Sequence, residues 1–266
     1  MIQYQVYPGG RRRVVTFSYD DGDARDRRLA ELFRRYGVKA TFHLISGHYR
    51  EMGAGERREI AKLYEGHEIS CHTLGHGRGT MMPPMSLVRE IAEDRKILED
   101  IAGYPMVGMS YPFGAYSADV ENVLRACGLR YCRTTLNTSK FDLPEDFLAW
   151  HPTCHHKNAQ EPCQRFLDLL DVEWSSPLLY IWGHSFELRT ETDWETMEAL
   201  VRSLAGNPKI WYATNAEIYD YVSAQRALRI SCDETVFYNP SAIPVWVEKD
   251  KARIIEIPAG ETVCLK

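Results

Sequence analysis

The sequence contains no Cys-x-x-Cys pair, no internal repeat, no low-complexity segment and no apolar run near the ~18 residues of a membrane span. Its seven cysteines (Cys71, Cys127, Cys132, Cys154, Cys163, Cys232 and Cys264) are odd in number and scattered. That argues against a disulfide framework or a structural zinc site and fits the reduced thiols of a cytoplasmic protein. Residues 1–13 lack the apolar core of a secretory signal, so the expected location is the cytoplasm, with a mature exported form stripped of its signal left open. A formal net charge of -5 argues against a nucleic-acid partner or an anionic membrane surface. The Arg11-Arg12-Arg13 run is short, follows the Pro8-Gly9-Gly10 turn and reads as a solvated strand start. Nothing in the sequence decides an oligomeric state.

What is present is an ordinary globular composition, 44% hydrophobic and 26% charged, on a chain long enough for one α/β barrel. Its central stretch is Val14-Val15-Thr16-Phe17-Ser18-Tyr19-Asp20-Asp21-Gly22, a buried-strand pattern that runs into two carboxylates and a glycine turn. Two carboxylates at the mouth of a buried strand repel unless a cation or a proton lies between them. On its own the stretch also fits a solvated turn.

Helical and strand patterns then alternate. Leu29, Leu32, Phe33 and Tyr36 mark a helix closed by Gly37, and 39–45 reads as a strand. A helix over 56–65, a strand over 68–71 and a helix carrying Leu87, Ile91, Leu98 and Ile101 follow, with Ser86 as its expected cap. Strands are expected over 106–111, 129–134, 147–150, 178–182 and 210–214, and helices over 117–127, 161–171, 191–204 and 215–226. Seven or eight such alternations mean parallel strands with crossover helices, closed or nearly closed into a barrel. The pattern changes after 226, where Val236-Phe237-Tyr238, Val245-Trp246-Val247 and Ile254–Ile257 look like short antiparallel strands. Residues 1–226 therefore read as the barrel and 227–266 as a small β appendage packed on it.

The chemistry-bearing positions recur at strand ends. His72-Thr73-Leu74-Gly75-His76 follows the strand over 68–71, with two imidazoles in reach of one metal ion. Asp20-Asp21, His72/His76, Pro112-Phe113-Gly114 and His184 each fall at the carboxyl end of an expected strand, and in a parallel barrel those ends share the face where active sites sit. One carboxylate and two imidazoles make a three-ligand metal site with a position left open. The second carboxylate is then free to take a proton from water, and His184 to protonate a leaving group.

Taken together, these stretches resemble the polysaccharide deacetylases, the NodB-homology group of carbohydrate esterase family 4. Ser18-Tyr19-Asp20-Asp21-Gly22 is similar to that family's Thr-Phe-Asp-Asp-Gly motif, and His72-Thr73-x-x-His76 to its His-Ser/Thr-x-x-His. Ala40-Thr41-Phe42 resembles the strand between them, Tyr111-Pro112-Phe113-Gly114 the third motif, and Trp182-Gly183-His184 the Leu-x-His motif. The resemblance implies a distorted (β/α) TIM-like barrel of about seven strands that removes N- or O-acetyl groups from a carbohydrate with a divalent metal. It assigns Asp20 as general base, Asp21, His72 and His76 as metal ligands, the backbone N–H near Phe113 as an oxyanion donor and His184 as general acid. Zn²⁺ is the expected metal, with Co²⁺, Mn²⁺, Ni²⁺ and Fe²⁺ open for such a mixed N/O site.

Two departures stand out. Where many members carry an Arg at the head of the third motif this chain has Ser110, and Arg133 is the candidate replacement. The family's Asp-Trp pair, which orients the acid His, is absent. The corresponding stretch is Trp150-His151-Pro152-Thr153-Cys154-His155-His156, from which His155 is a candidate to line the site. Tyr111, Pro112 and Trp182 complete the expected substrate-side positions, and His43 is expected to pack or hydrogen-bond beneath them. The departures keep two alternatives open: hydrolysis of a cyclic ureide such as allantoin, and a silent carbohydrate-binding relative.

Overall fold

Parallel strands and helices alternate from residue 13 to residue 226. In chain order the elements are β1 (Ile2–Gln3), β2 (Arg13–Asp21), α1 (Asp26–Arg35), β3 (Ala40–Leu44), α2 (Ala54–Leu63), β4 (Glu68–Cys71), α3 (Pro84–Ala102), β5 (Gly108–Ser110) and α4 (Ala118–Ala126). They continue with β6 (Tyr131–Arg133), β7 (Cys154–His155), α5 (Gln160–Asp168), β8 (Leu178–His184), α6 (Glu191–Leu204), β9 (Ile210–Tyr212) and α7 (Asn215–Arg226). Five short strands end the chain: β10 (Arg229–Ile230), β11 (Val236–Tyr238), β12 (Val245–Lys249), β13 (Arg253–Ile257) and β14 (Thr262–Cys264). The computed structural model describes residues 2–4, 6–250 and 253–265. No helix among them is long and apolar enough to cross a membrane.

The barrel sheet has the order β6-β5-β4-β3-β2-β8-β7, all parallel, with β9 also on β2. β2 is its axis. One edge is shared by β9 at Arg13–Val15 and β3 at Phe17–Asp21, and the other belongs to β8, with Asp20 opposite His184. Among the described residues no ladder joins β6 to β7. A single segment spans the gap: Trp150 donates to Cys132 O at 3.0 Å and Thr153 to Tyr180 O at 2.9 Å.

Alternation along β2 separates two environments. Val15, Phe17 and Tyr19 join the apolar layer beneath the helices, where Phe17 meets Phe33 of α1 at 4.8 Å between ring centres. Thr16, Ser18 and Asp20 join a hydrogen-bonded interior, contacting Asn215, His43 and Ser110 respectively. Leu87, Ile91, Leu98 and Ile101 of α3 are all buried in the outer layer, as their helical spacing predicts. Beyond α7, the sheets β10-β11-β14 and β1-β12-β13 enclose a separate apolar cluster that includes Phe237, Val245, Val247 and Ile257. Gln225 of α7 donates to the carbonyls of Val6 and Trp246, tying that cluster to the helix.

Several local expectations are corrected. Residues 147–150 form no strand: the Asp146 side chain accepts Leu148 N–H at 2.8 Å and turns Phe147–Ala149 into a 3₁₀ turn, leaving Trp150 as a bridge to Arg133. Ser86 is not the cap of α3, which begins at Pro84, where a missing N–H costs nothing. The two-residue β7 has no sequence signature. The arginine run is not solvated, because Arg13 is buried with its guanidinium on the carbonyls of Leu169, Val172 and Ser175, and Arg12 pairs with Glu248.

Candidate active site

The carboxyl ends of β2, β4, β5, β6 and β8 gather the polar residues. Alternation alone would send Asp20 and Asp21 to opposite faces of β2. Asp21 instead adopts a left-handed conformation (φ 78°), and both carboxylates approach His72: its Nε2 lies 4.0 Å from Asp20 Oδ2 and 3.4 Å from Asp21 Oδ1. His76, also left-handed (φ 55°), brings its Nε2 to 3.7 Å from Asp21 Oδ1.

Proton positions follow from the partners. His72 Nδ1 lies 2.9 Å from the Ser110 carbonyl, an acceptor only, so Nδ1 carries the hydrogen and Nε2 offers a lone pair. Ser110 Oγ, 2.7 Å from the same Nδ1, donates to Asp20 Oδ1 at 3.0 Å. Asp21 Oδ1 is buried and accepts no hydrogen bond. The Asp21 oxygen and the His72 lone pair thus face one another, and the ligand atoms of Asp21, His72 and His76 all lie within 4.8 Å of one another. This donor set fits a divalent cation, with the second nitrogen of His72 fixed by the protein.

Asp20 sits deeper. Arg133 Nη2 binds its Oδ2, while Arg133 Nε donates to Ser18 Oγ at 3.1 Å and the Trp182 ring covers the guanidinium at 4.4 Å. Ser18 in turn faces His43 Nε2 at 3.0 Å, and burial pushes His43 down to about 3, leaving it neutral. Burial alone would raise the Asp20 pKa. Arg133 and the surrounding imidazoles outweigh it and hold the carboxyl well below the usual range. Asp21 is also lowered, burial being outweighed by its contact with His72.

His184, at the end of β8, faces Glu187 with its Nδ1 at 3.4 Å. Burial disfavours its charged form, but Glu187, Asp20 and Asp21 together prevail and its pKa is raised. The Pro112–Gly114 turn forms the opposite wall. Phe113 is left-handed (φ 59°) and 54% exposed, its ring 4.6 Å from that of His76 and beneath the Arg78 guanidinium at 4.5 Å.

Residues 8–132 match the family model described as polysaccharide deacetylase. That stretch, just under half of the chain, is similar to the polysaccharide deacetylase family. The candidate polysaccharide deacetylase YxkH of Bacillus subtilis (strain 168) is 25% identical over 127 residues, 46% of this chain and 45% of that protein, so less than half of that relative's length is spanned. Two solved structures share the fold. A candidate polysaccharide deacetylase from Mycobacterium smegmatis superposes with a TM-score of 0.62 at 17% identity, over 83% of this chain and 93% of the other. The Puue allantoinase gives 0.63 at 13% identity, over 82% and 92%.

The structure brings Asp20, Asp21, His72, His76 and Arg133 together, with His184 opposite Asp20 on the adjoining strand. Pro112 is buried at the base of the Phe113 turn. Trp182 lies against Arg133, its Nε1 donating to Asn137 at 2.8 Å. Tyr111 is a correction: its side chain is buried in the wall, the hydroxyl donating to Leu148 O at 2.8 Å. His155 meets Glu187 through Nε2 at 2.9 Å. Sequence reasoning missed Ser110 as a link between Asp20 and His72, and it missed Glu187. The spacing of His184-x-x-Glu187 was the available signal, because an acidic residue three positions on folds back onto the backbone N–H of His184 (3.3 Å).

Proposed function

We propose that this chain is a divalent-metal-dependent hydrolase that removes an N-acetyl or O-acetyl group from an acetylated carbohydrate. The observation that carries this reading is the convergence of Asp21 Oδ1 with the Nε2 atoms of His72 and His76 next to an ionised, arginine-bound Asp20. Those three side chains would hold a divalent cation, which when bound would supply Lewis acidity toward water and the acetyl carbonyl. Asp20 takes the proton of the attacking water, and Arg133 and Ser110 hold its carboxylate in the charged, receptive form. The backbone N–H of Phe113 stabilises the negative oxygen of the tetrahedral intermediate. His184 gives a proton to the departing amine or alcohol. Zn²⁺ suits the donor set best, and Co²⁺, Mn²⁺, Ni²⁺ and Fe²⁺ suit it too. Seven unpaired cysteines support a reducing compartment such as the cytoplasm.

The test is acetate release from N-acetylated and O-acetylated sugars, before and after chelation and with Zn²⁺ or Co²⁺ restored, with a cyclic ureide in the same panel. Release should vanish with chelation and return with metal. Ureide hydrolysis alone, or sugar binding without turnover while metal is bound, would overturn the reading.

A further inference from the structure

Glu187 has no part in the reaction just described, yet four residues surround it. Its Oε2 lies 2.9 Å from His155 Nε2, 3.4 Å from His184 Nδ1 and 3.6 Å from His156 Nε2, and accepts the His184 backbone N–H at 3.3 Å. Its Oε1 accepts Lys157 Nζ at 2.6 Å. Imidazoles around a carboxylate also resemble a metal-binding set, and proton positions decide between the two. His155 Nδ1 accepts the backbone N–H of Lys157 at 3.3 Å, so this ring carries its hydrogen on Nε2 and points it at Glu187. A nitrogen that donates there has no lone pair for a metal. The ammonium of Lys157 on the other oxygen favours an ionised carboxylate rather than a second cation.

Glu187 is therefore a hydrogen-bond acceptor clamped by His155 and Lys157. Its remaining capacity faces His184. An acceptor opposite Nδ1 fixes the hydrogen on that atom and leaves Nε2, on the other side of the ring, to exchange protons. We propose that Glu187 is the positioning residue of His184, setting its ring orientation and its Nδ1–H form. The functional part of this rests on the reading of His184 as the acid. It also explains how the chain manages without the Asp-Trp pair missing from Trp150–His156: the carboxylate comes from one turn after the histidine it serves.

The test is Glu187→Gln in the metal-loaded protein. On an N-acetylated sugar kcat should fall ~100-fold, the low end for general acid–base catalysis, with KM within about threefold. On an aryl acetate, whose phenolate leaves without a proton, kcat should change less than about threefold. Equal losses on both substrates would mean that Glu187 only supports the fold and would overturn the proposal. A second readout needs no turnover. In ¹⁵N imidazole NMR of the metal-free protein, His184 should be the Nδ1–H tautomer in the wild type and a mixture in Glu187→Gln. An unchanged tautomer would overturn the proposal, as would a second Zn²⁺ equivalent bound by the wild type and lost in the variant. If the wild type releases no acetate, the deacetylase reading fails while the tautomer measurement still decides the role of Glu187.

Discussion

The guanidinium of Arg133 holds the carboxylate of Asp20 across 113 residues of sequence, and both are buried. The cation that the family motif places at the head of the third motif here comes from the neighbouring strand, and Ser110 fills the vacated position with a hydroxyl bound to the same carboxylate.

Breaking that pair should be costly, because it strands an ionised carboxylate away from water. Arg133→Met is expected to lower unfolding stability by about 3–5 kcal/mol and to abolish most acetate release. Arg133→Lys keeps the charge but not the planar fork and should recover only part of either. Urea denaturation and turnover measure both. A wild-type midpoint in Arg133→Met would mean that the pair does not secure Asp20.

His76 is the more exposed of the two imidazoles beside Asp21, its side chain 29% accessible against 1% for His72. His76→Ala should weaken Zn²⁺ binding by at least ~100-fold in a chelator competition with little loss of stability. Ser110→Ala should weaken it by ~10-fold, because the carbonyl of residue 110 still holds His72. Unchanged affinity in His76→Ala would remove it from the ligand set.

Glu68 is buried in the barrel interior, accepting hydrogen bonds from Thr41, Tyr131 and the Ala216 N–H, and burial pushes its pKa up to about 7. The folded state therefore holds a proton that the unfolded chain releases at the ordinary glutamate value. The resulting stability is fully present below the unfolded pKa and is lost as pH rises through about 7, on the order of 3 kcal/mol for this group. Glu68→Gln should flatten the fall in stability between roughly pH 4.5 and 7. Denaturation midpoints with the same slope as wild type would refute the assignment.

Gly183 has no room for a side chain. A Cβ there would lie 2.1 Å from His156 Nδ1, and that ring is stacked on Tyr19 with centroids 5.6 Å apart. Gly183→Ala should cost about 1–3 kcal/mol by overpacking. Calorimetry would show it, and an unaltered melting temperature would mean that His156 moves aside freely.

The alternating pattern through residue 226 was legible because the buried faces keep period, as in β2 and α3. Asp20, Asp21, His72 and His76 were legible because short motifs sit at strand ends. The path over residues 147–155 was not: its turn depends on one Asp146 side chain and its pairing on strands far away in sequence. Nor was the environment of the arginine run, because the carbonyls that hold Arg13 come from residues 169–175. Glu187 left only a spacing of three, which many surface turns share.

Strand β2 lies between β3, its immediate successor, and β8, which begins at Leu178. On the ribosome the first edge can pair early, but the second has no partner until some 160 further residues have emerged. During that interval an apolar, nine-residue strand carrying both aspartates presents an open edge to any passing chain. Synthesis of this molecule thus includes a long window of aggregation risk that closes only when His184 arrives opposite Asp20.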